Sequence, residues 1–193
     1  MMKRENLFII SKLWITDRNN VEEALKQSIA HLQTDYIDLY LIHHMIPDVV
    51  KDSEMVERVS IKEVWRQLEH CREKNLVRSI GVMNCPVVMF LEILTFCNVK
   101  PALNCLEVHP YFTQLEALKF YKKLGVPVAA YAPIAPSENS KFQLDTSEKF
   151  KNLDLLNESL IKELAKTYKR TEVEIVLNWH MRKNLIVFPG MKQ

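Results

Sequence analysis

Residues 36–44 read YIDLYLIHH, and no other stretch constrains the chain as much. The run is short, almost wholly apolar, rich in strand formers and bounded by polar residues. That pattern suits a strand buried on both faces. It ends in two imidazoles, His43 and His44. Packing alone does not account for them. In a parallel α/β sheet or barrel, the carboxyl ends of strands are where chemistry sits. The run is therefore either a core element or the floor of an active site.

Strand and helix signals alternate on both sides of it. Strands are expected at residues 7–13, 36–43, 77–82, 102–108, 128–132 and 185–188. Helices are expected at residues 21–32, 61–73, 86–96, 115–124, 155–168 and 172–181. In the first helix Val21, Ala24, Leu25, Ile29 and Leu32 recur at helical spacing. Asn20 is placed to cap it, with Glu22 and Glu23 in its first turn. Ile61, Val64, Trp65 and Leu68 share a face of the second. Pro86 suits a first turn, and Gly125 suits a helix end. Residues 45–60 and 135–154 read as loops. Strands alternating with helices imply parallel strands joined by right-handed crossovers. The pattern fits both a doubly wound sheet and part of a (β/α)8 barrel.

Composition sets the outer limits. With 48% hydrophobic and 26% charged residues, a chain of 193 residues can bury one sizeable core, so residues 1–193 are expected to form a single domain. A net charge of +2, with no basic stripe among aromatics, gives no reason to expect a nucleic-acid partner. No apolar run approaches the roughly 20 residues that span a bilayer. The amino terminus lacks a signal-peptide pattern. Cys71, Cys85, Cys97 and Cys105 show no CxxC spacing and read as reduced thiols. A soluble, cytoplasmic protein is the expectation. The three glycines form no GxGxxG or P-loop pattern, so a dinucleotide, if bound, is not held by a Rossmann fingerprint.

The segments FIISKLW, LQTDYIDLYLIHH, NLVRSIGVMN, NCLEVHPYF, VAAYAP and KRTEVEIVLNW occur in that order. Together they resemble the aldo-keto reductase family over nearly the whole chain. The resemblance implies a (β/α)8 barrel that uses NADPH, or sometimes NADH, to reduce aldehydes and ketones. By that alignment the chain supplies the third to eighth strands, an incomplete (β/α)8 barrel. The first two strands fall before Met1, and the segment after the eighth strand is absent. Open barrel edges of this kind invite a partner or self-association.

The family uses a tyrosine as general acid, a lysine that lowers its pKa, an aspartate paired with the lysine, and a histidine that orients the carbonyl. Lys12 matches the lysine and His43 the histidine. From the residues alone, Lys12 reads first as a strand-end lysine reaching for water, and His43 as a hydrogen-bonded core histidine; the resemblance reverses both preferences. His44 stands where the family usually has a tryptophan. Neighbouring strand residues point to opposite faces, so one metal ion is not expected to reach both imidazoles.

The family tyrosine and aspartate align before Met1, and neither Tyr40, Tyr111 nor Tyr131 suggests a replacement acid. Asn84 matches the asparagine that holds the nicotinamide carboxamide, and Tyr131 the tyrosine that stacks on the nicotinamide ring. Asn84 also reads as a turn residue and Tyr131 as a core aromatic. Met83 and Cys105 replace the family's serine and glutamine, and Ala132 a small polar residue. Gly190 stands where a lysine would grip the 2′-phosphate of NADP(H), so no carrier of NADPH preference is visible. The resemblance thus implies a carbonyl reductase whose turnover is not expected from this chain alone. The alternative is a non-catalytic binding or regulatory protein on the same scaffold.

Overall fold

A computed structural model describes residues 2–46, 59–135 and 154–190. Most of the loops expected at residues 45–60 and 135–154 lie outside the described residues. The chain divides into two compact units, Met1–Asn104 and Cys105–Gln193.

In the first unit, β1 (Ile10–Leu13), β2 (Ile37–Ile42) and β3 (Val77–Met83) alternate with α1 (Val21–His31), α2 (Ile61–Glu73) and α3 (Val87–Phe96). β1 runs parallel to β2, with Lys12 opposite Leu41. β2 runs parallel to β3, with Leu41 opposite Gly81. Ala102 and Leu103 extend the ladder: the Ala102 amide donates to the Ile80 carbonyl (2.9 Å), and the Val82 amide to the Leu103 carbonyl (3.0 Å). Consecutive strands are neighbours, as in a barrel. A doubly wound sheet instead reverses its strand order at a switch point.

All of β2 is buried, as its apolar run requires. α2 packs on β3 and α1 and brings Val64, Trp65 and Leu68 into the core at 0% exposure. Replacing Trp65 with alanine would cost about 3–5 kcal/mol by cavity formation. Gly81 allows the closest strand approach. A Cβ there would lie 2.8 Å from the Leu103 carbonyl oxygen and 2.8 Å from a Leu41 methyl.

Three local expectations need correction. β1 begins at Ile10, not residue 7, because Arg4–Asn6 forms a 3-10 turn and Leu7 and Phe8 face solvent. Asn20 precedes α1 but makes no side-chain cap; the Val21 amide donates to Gln67 instead (3.4 Å). Pro86 sits just before the first turn of α3.

Asn104 ends the first unit and opens β4 (Asn104–Glu107). In the second unit, β5 (Val128–Tyr131) pairs in parallel with β6 (Ile186–Phe188), Tyr131 opposite Phe188. The helices are α4 (Leu115–Lys123), α5 (Ser159–Tyr168) and α6 (Glu172–Met181). Gly125 follows α4 at φ +64°, a left-handed conformation suited to glycine after a helix. α6 opens on a capping box: the Thr171 hydroxyl accepts from the Glu174 amide, and the Glu174 carboxylate accepts from the Thr171 amide. His180 is fully buried, with its two ring nitrogens each 2.8 Å from a carbonyl oxygen, those of Val176 and Val108.

Candidate active site

In the first unit the register brings three strand ends to one level. The His43 amide donates to the Leu13 carbonyl (3.1 Å), which fixes the carboxyl end of β2 beside that of β1. Asn84 follows β3 in the left-handed region (φ +54°), and its Nδ2 donates to the His43 carbonyl (3.1 Å). Lys12, His43 and Asn84 are thus gathered at the carboxyl edge of β1, β2 and β3.

Trp14 lies against His43, ring centroids 4.5 Å apart. β2 ends at Ile42, and the chain bends at His43. The imidazoles of His43 and His44 therefore lie side by side, 4.3 Å between centroids, rather than on opposite faces as strand alternation predicts. Even so, no group of three metal-ligating side chains occurs among the described residues.

His43 is buried, and its Nδ1 has no hydrogen-bond partner among the described residues. Burial, then the neighbouring charges of His44 and Lys12, push its pKa down to about 4. The imidazole is neutral at neutral pH, the form that offers one N–H to a carbonyl oxygen without exchanging a proton. Lys12 itself is exposed in β1. Water contact describes its surroundings, while its charge still reaches His43.

Two residues here went unread in the sequence. Trp14 forms one wall of the His43 ring. Asn104, at 0% exposure, donates from Nδ2 to the Cys85 carbonyl (2.9 Å) and so anchors the turn that carries Asn84. A lone amide within an apolar strand was the available signal for Asn104.

In the second unit, half-buried Tyr131 ends β5, its hydroxyl 3.5 Å from Glu107 Oε2. Glu107 Oε1 lies 3.1 Å from His109 Nε2. Burial and then Glu107 raise the Tyr131 phenol above the ordinary range. Burial also raises Tyr40. Tyr111, whose hydroxyl donates to Glu158, is pushed up to about 12 by burial and that carboxylate. Each of these phenols is a weaker acid than a free tyrosine, so none gains the lowered pKa of a general acid. Cys105 and Met83 are both buried, at 1% and 7% exposure. Gly190 is exposed, with open space where a side chain would stand.

Within the first unit, the amide of Asn84 at a strand end suits a carboxamide in kind; within the second, the half-buried ring of Tyr131 is an aromatic face at a strand end. The thioether of Met83 and the thiol of Cys105 offer only weak hydrogen bonds to a carboxamide.

A D-sorbitol-6-phosphate dehydrogenase of Malus domestica, described as NADP-dependent, is 31% identical over 98% of this chain and 63% of its own length. An NAD(P)H-dependent D-xylose reductase of Candida tenuis is 32% identical over 98% of this chain and 63% of its own. The chain therefore spans less than two thirds of the length of these relatives. The solved structure of an aldose reductase from Schistosoma japonicum superposes with a TM-score of 0.83 at 27% identity, covering 98% of this chain and 61% of that one. The fold is α/β, an incomplete (β/α)8 barrel. The aldo/keto reductase family model matches residues 1–193, and the chain belongs to that family.

Proposed function

We propose that this chain carries the carbonyl-orienting and nicotinamide-contacting residues of an NAD(P)H-dependent reductase of small aldehydes and ketones. One observation supports the reading most: a neutral, buried His43 whose carbonyl is tied to the amide of Asn84 at the carboxyl ends of parallel strands. Neutral His43 donates a hydrogen bond to the substrate oxygen and orients the carbonyl. Lys12 supplies positive charge near the oxygen that becomes an alkoxide. Asn84 holds a carboxamide; in the second unit, taken by itself, Tyr131 offers a ring face of the kind a nicotinamide stacks on. A bound nicotinamide supplies the hydride. The proton for the alkoxide comes from a group outside these residues, because every tyrosine considered as acid is raised rather than lowered.

The reading predicts that the purified chain binds NADPH, with quenching of its tryptophan fluorescence, but does not turn over an aldehyde. Saturable quenching that weakens in N84A is the expected result. Absence of quenching by either NADPH or NADH would defeat it. Burial of Met83 and Cys105 favours a second reading, a binding protein that handles no nicotinamide; that reading is sunk by the same quenching. None of the four cysteines is joined in a disulfide, which suits a reducing compartment, and we place the protein in the cytoplasm. No helix among the described residues is long and apolar enough to cross a membrane.

A further inference from the structure

The amino end of β2 carries a different kind of site. A cleft of about 560 Å³ opens there, lined by Tyr36, Arg72, Glu73, Asn75, Val77 and Arg78. Its size falls within the range of small-molecule sites, roughly 300–1,000 Å³. Two guanidiniums are fixed at its rim. Arg78 stacks over the Tyr36 ring, 4.0 Å from its centroid, and its Nη1 lies 3.4 Å from Asp38 Oδ1. Arg72 donates from Nε to the Arg78 carbonyl (3.2 Å).

What these groups leave unused defines the ligand. The remaining N–H groups of Arg72 and Arg78, the Asn75 side-chain amide and the Tyr36 hydroxyl have no hydrogen-bond partner among the described residues. The charge is favourable for an anion. Of the residues lining the cleft, Arg72 and Arg78 are cationic and Glu73 is anionic. Asp38 is already shared between Arg4 and Arg78, and Glu73 lies 3.3 Å from His70. Planar guanidiniums with several free N–H groups match an oxyanion with three terminal oxygens better than an uncharged polyol. The cleft also exceeds one phosphate in size, and the edge of the Tyr36 ring borders it, the ring's faces being covered by Arg4 (3.9 Å) and Arg78 (4.0 Å).

We propose that this cleft binds a small phosphate monoester. The phosphoryl oxygens meet Arg72, Arg78 and Asn75, and the organic part lies along the edge of the Tyr36 ring. The site is separate from the carbonyl site, because Tyr36 precedes β2 and His43 follows it. A strand of that length puts them about 20 Å apart.

Calorimetric titration of the full chain tests this at constant ionic strength, with glucose 6-phosphate, inorganic phosphate and succinate as probes. Saturable one-to-one binding of glucose 6-phosphate is expected, tighter than inorganic phosphate and with succinate weakest. Arg72 is exposed on α2, so R72Q leaves the fold intact. It should weaken glucose 6-phosphate about tenfold, the scale of one lost charge-assisted contact. R78K keeps the charge but not the planar fork, and should weaken binding too. No saturable binding, equal binding of succinate, or affinity unchanged in R72Q would overturn the proposal. Binding of inorganic phosphate alone would overturn it as well, because the organic part would then have no place.

Discussion

The two ends of β2 were built by opposite rules. At the amino end, buried Asp38 accepts from the Ile9 amide (2.9 Å), from Arg4 (2.7 Å) and from Arg78 (3.4 Å). Arg4 also reaches Thr34 and the carbonyls of Leu7 and Tyr36. Burial acts to raise the Asp38 carboxyl, but the Ile9 amide and the two arginines outweigh it and hold the pKa below its ordinary value. At the carboxyl end, His43 is buried with Nδ1 unpartnered, beside a second imidazole, and its pKa falls to about 4. A polar group satisfied on every side holds structure together. One left wanting a partner at the mouth of a strand is set to meet a ligand.

The sharpest way to break this contrast is to remove the satisfied acid. D38A leaves the Arg4 guanidinium and the Ile9 amide without their carboxylate. It should cost about 3–5 kcal/mol in urea unfolding, the scale of a broken buried ion pair. H43Q, at the unsatisfied end, should change stability far less at neutral pH.

Acid separates the two ends next. His43 binds its proton less tightly in the folded chain, at about 4, than at its ordinary 6.5. Between those values the unfolded chain holds more protons. Stability therefore falls as pH drops from about 6.5 towards 4, by up to about 3 kcal/mol. H43Q should abolish that slope. The Asp38 shift is also downward, so its contribution too is lost as pH falls, but in a lower window. It is complete above the ordinary carboxylate value of 3.8 and is lost only as pH falls below it. Unfolding curves across this range check both.

A smaller effect tests how the carboxyl end is held level. Gly81 lies opposite Leu41 and leaves no room for a Cβ. G81A should cost about 1–3 kcal/mol by overpacking. Smallest of all, M83S and C105Q restore hydrogen-bonding side chains where the family resemblance expects them. If the proposed nicotinamide contact holds, each should tighten NADPH by about 1 kcal/mol in fluorescence titration.

Legibility in the sequence divided along physical lines. α2 was readable to the residue, Ile61–Glu73, because Ser60 caps it locally and its apolar spacing is regular. β2 was readable because burial on both faces leaves a continuous apolar run. The start of β1 was not, since Leu7 and Phe8 look like strand core yet stand exposed beside a short turn. The absence of a side-chain cap from Asn20 was also hidden, because Gln67 satisfies the Val21 amide from α2. The Arg4–Asp38 pair joins residues 34 apart, and no local pattern announces it. At the site, His43 was visible as an imidazole after an apolar strand. Its pairing with His44 was not, because a bend replaces strand alternation at that residue. Asn104 was missed because its partner, the Cys85 carbonyl, belongs to another strand's end.

The central claim is that the carboxyl end of β2 meets a nicotinamide. NMR of the histidine ring protons during NADPH titration tests it most directly. His43 and His44 should shift together and saturate, while exposed His31 at the end of α1 stays fixed. Unchanged His43 and His44 signals at saturating NADPH would contradict the account.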